Sequence, residues 1–235
     1  MPSSKTVSDA VATRRSVRAF LPTEVDEALI RRVLAQASWA PSGGNLQPWQ
    51  LIVLKNEPLE ELKAIMRRRL IDKPNGETED GEAVDFKIYP SPLEGVDRAR
   101  RLAMGVALYE ALGIGKDDAA ARQAWHHRNF DFFGAPVALF FYVNRKHNGP
   151  QWADIGMYMQ SLMLLLREQG LDSCPQEAWA RYAHTVNAFL KPSPDWILYC
   201  GFAIGYADDR HPVNQFERAR AGVEEFASFR GFRSD

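Results

Sequence analysis

The sequence predicts an α+β fold, a small sheet surrounded by helices. Three observations point to it. Apolar residues recur at helical spacing in several long stretches, and short apolar runs rich in β-branched and aromatic residues interrupt them. No internal repeat, low-complexity tract or Gly/Ser/Pro-rich linker divides the 235 residues, so one domain over residues 1–235 is the simplest organisation. Hydrophobic residues make up 46% and charged residues 25%, ordinary values for a folded chain with a sizeable core.

In chain order, a short helix should precede Arg14, and Asp26 can cap a helix over residues 27–38. In that helix Leu29, Ile30, Val33, Leu34 and Ala37 share a face before Pro41, Gly43 and Gly44 end it. Residues 49–54 read as a buried strand, and helices follow at about 59–70 and 96–112. Between those helices, residues 72–92 carry three prolines, two glycines and eight charges. That composition marks an irregular excursion, a lid or a long surface loop, with the loop favoured.

A helix at about 118–129 leads to an apolar strand at 137–143. The longest helix should run over 152–169, with Ile155, Met159, Leu162, Met163 and Leu166 in one stripe and Gly170 as its stop. A stripe rich in Met is core packing or a subunit interface. A turn at Cys174, Pro175, Gln176 and Glu177, a short helix at 180–190 and a strand at 196–204 complete some seven helices and four strands. Residues 207–235 form an arginine-rich extension with few apolar anchors, stable only against another surface.

Charge and composition exclude several function classes. A net charge of −1 gives no basic field for nucleic acid or an anionic membrane. The run Leu162, Met163, Leu164, Leu165, Leu166 is stopped by Arg167 and Glu168, too short to span a bilayer, and the first residues do not read as a signal peptide. The two cysteines, Cys174 and Cys200, make neither a disulfide framework nor a zinc cluster, so a reducing, cytoplasmic setting is expected. The five histidines never fall at ligand spacing with a carboxylate partner, and no metal is expected. Dinucleotide fingerprint, Walker loop, nucleophile elbow and zincin motif are all missing.

Two segments remain. Arg14, Arg15, Ser16 and Arg18 put guanidinium and hydroxyl donors in one turn, a phosphate clamp if not simply a solvated basic run. Ser42, Gly43, Gly44, Asn45 and Gln47 expose backbone and side-chain amides in a loop anchored by Pro48 and Trp49, an arrangement able to read the edge of a flat heterocycle. Alone, the second is also an ordinary helix-to-strand turn.

Together the two segments resemble the flavin-binding hallmark of the nitroreductase family, an Arg-x-Ser-x-Arg/Lys turn followed by a Ser-x-x-Asn-x-Gln-Pro-Trp loop. Further similarity continues through Arg128, Asn129 and Phe130, through Cys174 to Trp179, and through Gly201 to Tyr206, nearly the whole chain. It looks closest to the bacterial branch that reduces nitroarenes and nitrobenzoates. The resemblance implies FMN as cofactor, with NADH or NADPH reducing it and an electron acceptor, a nitroaromatic, then reoxidising it in the same pocket. The alternatives are a same-fold reductase of enones, quinones or free flavin, and a non-catalytic FMN-binding protein.

The resemblance also implies roles. Arg14, Arg15 and Ser16 would hold the FMN phosphate and ribityl chain, and Arg18 would approach the pyrimidine side, where a cation favours the reduced anionic ring. Ser42, Asn45 and Gln47 would bind the ring or ribityl hydroxyls, with Asn129 a further candidate. Pro175, Gln176 and Glu177 would bring a backbone amide to flavin N5, and Arg218 with Arg220 would close the phosphate site. Trp125, Phe130, Phe132 and Phe133 would line the substrate slot. The resemblance implies a nitroreductase-like fold with a small mixed, mostly antiparallel sheet surrounded by helices, and the family is dimeric, so a homodimer with FMN at the interface and residues 207–235 wrapping the partner is expected.

Overall fold

The computed structural model describes residues 3–72, 82 and 85–232. Four strands form one sheet in the order β1-β2-β4-β3, where β1 is Gln50–Lys55, β2 Val137–Asn144, β3 Asp172–Gln176 and β4 Trp196–Gly205. All three pairings are antiparallel. The central strand β2 is buried on both faces, which is why it reads as an unbroken apolar run. Its alternate residues feed two separate cores.

On one face, Ala138, Phe140 and Tyr142 meet Leu59, Leu62 and Met66 of helix α3 (Asn56–Asp72) and Val186 of α7 (Ala183–Leu190). Phe130, Phe132, Phe133 and Trp179 pack there too. On the other face, Leu139 and Phe141 meet Ile30, Val33 and Ala37 of α2 (Glu27–Ala37) and Ile155, Tyr158, Leu162 and Leu166 of α6 (Gly149–Glu168). The remaining helices are α1 (Val7–Thr13), α4 (Gly95–Ala111) and α5 (Ala119–His127). α4 buries no residue in the single chain.

The helices start and stop as their sequences dictate. Asp26 caps α2 by accepting from Ala28 N at 3.1 Å, and Gly170 leaves α6 with φ +74°. Four expectations need correction. Residues 174–176 are the edge strand β3 rather than a turn, since an edge position tolerates Pro175 without its N–H. The strand at 49–54 lies at the opposite edge, with Val53 exposed and only Leu54 buried. The helix at 118–129 ends at His127 and tightens into 3-10 turns over Arg128–Gly134, and the helix at 180–190 divides into 3-10 turns at Glu177–Tyr182 and α7.

The excursion at 72–92 falls partly outside the described residues. Where described, it is pinned: Glu82 accepts from Arg69 Nε at 2.9 Å, Asp85 pairs with Arg145, and Phe86 packs on Trp152 and Tyr199. Among the described residues no helix is long and apolar enough to cross a membrane, and no group of His, Cys, Asp and Glu is arranged to hold a metal ion.

Candidate functional site

After α1 the chain turns extended at Arg14 (φ −57°, ψ 131°) and runs beside β3. Val17 N donates to Ser173 O at 3.0 Å, and Ser16 bridges Ser173 in parallel, the one parallel element beside the antiparallel sheet. Extended alternation then sends Val17 and Ala19 inward and Arg14, Ser16 and Arg18 to the other side. All three face Cys174, whose thiol burial pushes up while Arg18, Ser16 and Arg14 work against it. Arg15 donates to the backbone carbonyl of Asn214.

The C-terminal segment returns to this turn. Arg218 donates to Arg14 O at 2.7 Å, and Arg220 lies close enough to depress Arg14, after burial itself. Burial first, then the fields of Arg15, Arg14, Arg220 and Arg18, push Arg218 down to about 10. Five guanidiniums therefore share one small region. Among the described residues none of the five has a carboxylate at ion-pair distance. Such crowding is unfavourable on its own, and a phosphate dianion relieves it.

Asn214, which sequence reasoning missed, holds the two segments together. It is buried, accepts from Arg18 N at 2.9 Å, and donates to Ala19 O at 2.8 Å and Asp208 O at 3.0 Å. Its only sequence signal is a polar residue after Pro212-Val213 in an otherwise charged tail.

The second predicted segment lies elsewhere in the chain. Its loop is shaped by three left-handed residues, Gly44, Asn45 and Gln47, with φ of 59°, 56° and 49°. Gln47 N donates to Ser42 Oγ at 3.0 Å, and Gly43 N donates to the buried Asp154 of α6 at 3.2 Å. Arg14 instead reaches Met163 of α6, with Nη1 3.8 Å from Sδ. Asp154 and Met163 are nine residues apart, about 13 Å along a helix axis. Among the described residues no hydrogen bond or ion pair links residues 42–47 to the arginine turn, and the two segments meet α6 at different turns.

The end of β3, beyond the stretch that runs along the arginine turn, is held by its own hydrogen bonds. Gln176 N donates to Cys200 Sγ at 3.2 Å, and the Gln176 side-chain amide donates to Asn129 O at 2.7 Å. Asn129 in turn donates to His126 O at 2.8 Å. Asn129 therefore braces Gln176 with both ends of its side chain occupied. Pro175 pairs with Phe202, and Gln176 with Gly201, whose missing Cβ makes room for Trp179. Glu177 is half-buried. Burial raises its carboxyl, and the Tyr89 hydroxyl opposes the rise.

Of the four aromatic residues expected at the slot, three belong to the core. Phe130, Phe132 and Phe133 are 3%, 0% and 1% exposed, and Phe132 stacks on Trp179 at 4.5 Å. The cause is local: Phe132 and Phe133 adopt φ of 50° and 55°, which turns both rings inward. Trp125 is half-buried, 5.3 Å beneath the Arg128 guanidinium.

The sequence matches the nitroreductase family over residues 11–206. The 4-nitrobenzoate reductase of Pseudomonas putida is 36% identical over 222 residues, 94% of this chain and 94% of that protein. The crystal structure of the FMN and NADPH-dependent nitroreductase NfnB from Sphigopyxis sp. strain HMH superposes with a TM-score of 0.92 at 45% identity, covering 97% of this chain and 100% of that one. The FMN-dependent nitroreductase NfnB from Mycobacterium smegmatis, in complex with NADPH, superposes with a TM-score of 0.87 at 33% identity over 95% and 98%. With the family's match over residues 11–206 and nearly the full length in common with these relatives, this chain belongs to the nitroreductase family.

Proposed function

We propose that this chain is an FMN-dependent oxidoreductase that uses NADH or NADPH to reduce nitroaromatic compounds by two-electron steps in a ping-pong cycle. The observation that carries it is the five-arginine cluster without carboxylate partners beside the end of β3. Its charge suits the phosphate of FMN, and the redox relatives of similar length support the activity. Bound FMN supplies hydride acceptance and donation at N5. Arg14, Arg15, Ser16, Arg218 and Arg220 would hold its phosphate, Arg18 would offset negative charge on the reduced ring, and Pro175, Gln176 and Glu177 would offer it backbone amide groups. Asn214 and Asn129 position these groups through the hydrogen bonds above.

We infer a homodimer whose partner copy supplies Ser42, Asn45 and Gln47 to each site, because within one chain that loop and the arginines meet α6 at different turns. A stripe of α6 through Ala153, Gly156, Met157, Gln160, Ser161 and Leu164 is left exposed or half-exposed, and α4 leaves Val96, Leu102 and Val106 uncovered. Two copies packing antiparallel along α6 would bring the Asp154 end of one to the Met163 end of the other. Residues 207–235 then have a partner to wrap: Phe226 and Phe232 are 73% and 77% exposed in the single chain. The free, buried Cys174 and Cys200 suit the cytoplasm.

The test is to purify the protein and record its visible spectrum, then add NADH or NADPH followed by nitroarenes, quinones, enones and free flavin. A yellow protein bleached by the nicotinamide and recoloured by nitroarenes supports the proposal. Bleaching with recolouring only by the other acceptors moves the substrate class, and no bleaching makes the chain a flavin carrier. Sedimentation should give twice the chain mass, and a monomer would remove the shared site.

A further inference from the structure

Residues 42–47 are bonded mostly to themselves. Asn45 N donates to Ser42 O at 2.9 Å, Leu46 N to Gly43 O at 3.2 Å, Gln47 N to Ser42 Oγ at 3.0 Å, and the Gln47 side-chain amide to Asn45 O at 3.3 Å. Among the described residues one hydrogen bond ties this loop to another element, from Gly43 N to Asp154 Oδ2 of α6 at 3.2 Å. Asp154 is 5% exposed, and among the described residues no lysine, arginine or histidine lies at ion-pair distance from it. A buried carboxylate without a cation is costly, and an apolar side chain in its place would carry less penalty.

Its place explains why it is kept. Gly43 opens the 3-10 turn Gly43–Asn45, and Ser42, at the capping position, makes no side-chain hydrogen bond to that turn. Asp154 instead meets the first N–H with a charge-assisted bond. From there the backbone is left-handed at Gly44, Asn45 and Gln47. Residues with a Cβ adopt that conformation reluctantly, and it persists where the surroundings fix it. One turn further along α6, Tyr158 takes the residue just past the loop, with Trp49 stacked on it at 4.9 Å. The i, i+4 spacing puts both moorings on one face of the helix.

We propose that Asp154 is the positioning residue of the Asn45 and Gln47 loop: without touching the cofactor, it holds Gly43 and so sets where the two amide side chains meet a flavin. The proposal rests on the nitroreductase reading, which gives Asn45 and Gln47 the ring or ribityl hydroxyls and leaves the phosphate to the arginines. Loss of the mooring therefore weakens every flavin alike, phosphorylated or not. The bond needs an acceptor at position 154 and a donor at position 43. An amide in place of the carboxylate preserves it, and removing either partner has the same consequence.

The test has two readouts, and the first needs no cofactor. In nitrogen-15-labelled, flavin-free protein, exchange of the Gly43 N–H with solvent should quicken by about tenfold or more in Asp154→Ala, and little in Asp154→Asn, whose amide oxygen still accepts. The second is fluorescence titration with FMN and with riboflavin. Asp154→Ala should weaken both by about tenfold or more, the size of a lost hydrogen bond to a charged group, with their ratio unchanged, and Asp154→Asn should stay within about threefold of the parent. Gly43→Pro removes the donor instead. The first position of a turn accepts proline, and a Cβ there lies 3.9 Å from Asp154 Oδ2, an ordinary contact. It should match Asp154→Ala, and the double variant should lose no more than the weaker-binding single variant. If Asp154→Ala fails to fold, Asp154→Asn and Gly43→Pro still decide. Unaltered Gly43 exchange, unaltered flavin affinity, a changed ratio, additive losses, or no rescue by asparagine overturns the role of Asp154 and leaves the flavin reading intact. A protein that takes up no FMN overturns both.

Discussion

Gly201→Ala tests whether β4 and the turn carrying Gln176 and Glu177 are one packed unit. A Cβ at position 201 would lie 2.2 Å from Trp179 Cδ1, 2.7 Å from Cγ and 2.8 Å from Nε1. Ordinary carbon contacts are about 3.5–4 Å, so the indole would have to move by more than about 1 Å. It has little room: Phe132 stacks on it at 4.5 Å, and Phe130 and Phe140 press edgewise, each at 5.1 Å. Overpacking of this kind costs about 1–3 kcal/mol, and the rigid surroundings favour the upper end, about 3 kcal/mol. In a chain of this length that lowers Tm by roughly 6–12 °C. Calorimetry on the flavin-free protein measures it, and FMN affinity should fall with it, because Trp179 and Glu177 share the turn Glu177–Tyr182. Trp179→Leu in the G201A background should restore part of the loss. A Tm within about 2 °C of the parent would refute the packing argument.

Three more outcomes follow from other parts of the molecule. Inorganic phosphate or pyrophosphate should raise the Tm of flavin-free protein, and Arg218→Ala should cut that rise while changing the anion-free Tm little; thermal melts with and without anion decide it, and equal rises would dismiss the cluster as a phosphate site. Burial, then His127 and Arg181, lowers His126 from its ordinary 6.5, so the folded state takes up its proton less readily than the unfolded one. Stability should therefore be undiminished above about pH 6.5 and fall as pH drops below it toward the lowered folded value; urea midpoints at pH 7.5 and 5.5 should differ less in His126→Gln than in the parent. Glu82→Ala deletes a fully buried carboxylate that serves Arg69 and Thr185, and denaturant titration should show a loss of about 3 kcal/mol.

Much of this fold was legible because its signals were local. The stripe Ile155, Met159, Leu162, Met163, Leu166 is one face of α6, and the run from Val137 to Val143 is the doubly buried β2. β3 was not legible, since Cys174-Pro175-Gln176 carries a turn former and only its place at the sheet edge makes a strand of it. The arginine turn announced itself by residue type. Asn214 did not, because its role depends on meeting residues almost two hundred positions away. The rings of Phe132 and Phe133 misled for a conformational reason: two successive left-handed residues send both inward, which no helical or extended period anticipates.

The central claim is that the arginines of the N-terminal turn and the C-terminal segment form a phosphate site for a flavin. Titrating flavin-free protein with FMN and with riboflavin, which lacks the phosphate, tests it most directly. FMN should bind at least about a hundredfold more tightly, as a phosphate with several charge-assisted hydrogen bonds requires. Arg14→Ala and Arg218→Ala should shrink that ratio with riboflavin binding nearly unchanged. Equal affinity for the two flavins, or a ratio that survives both substitutions, would contradict the account.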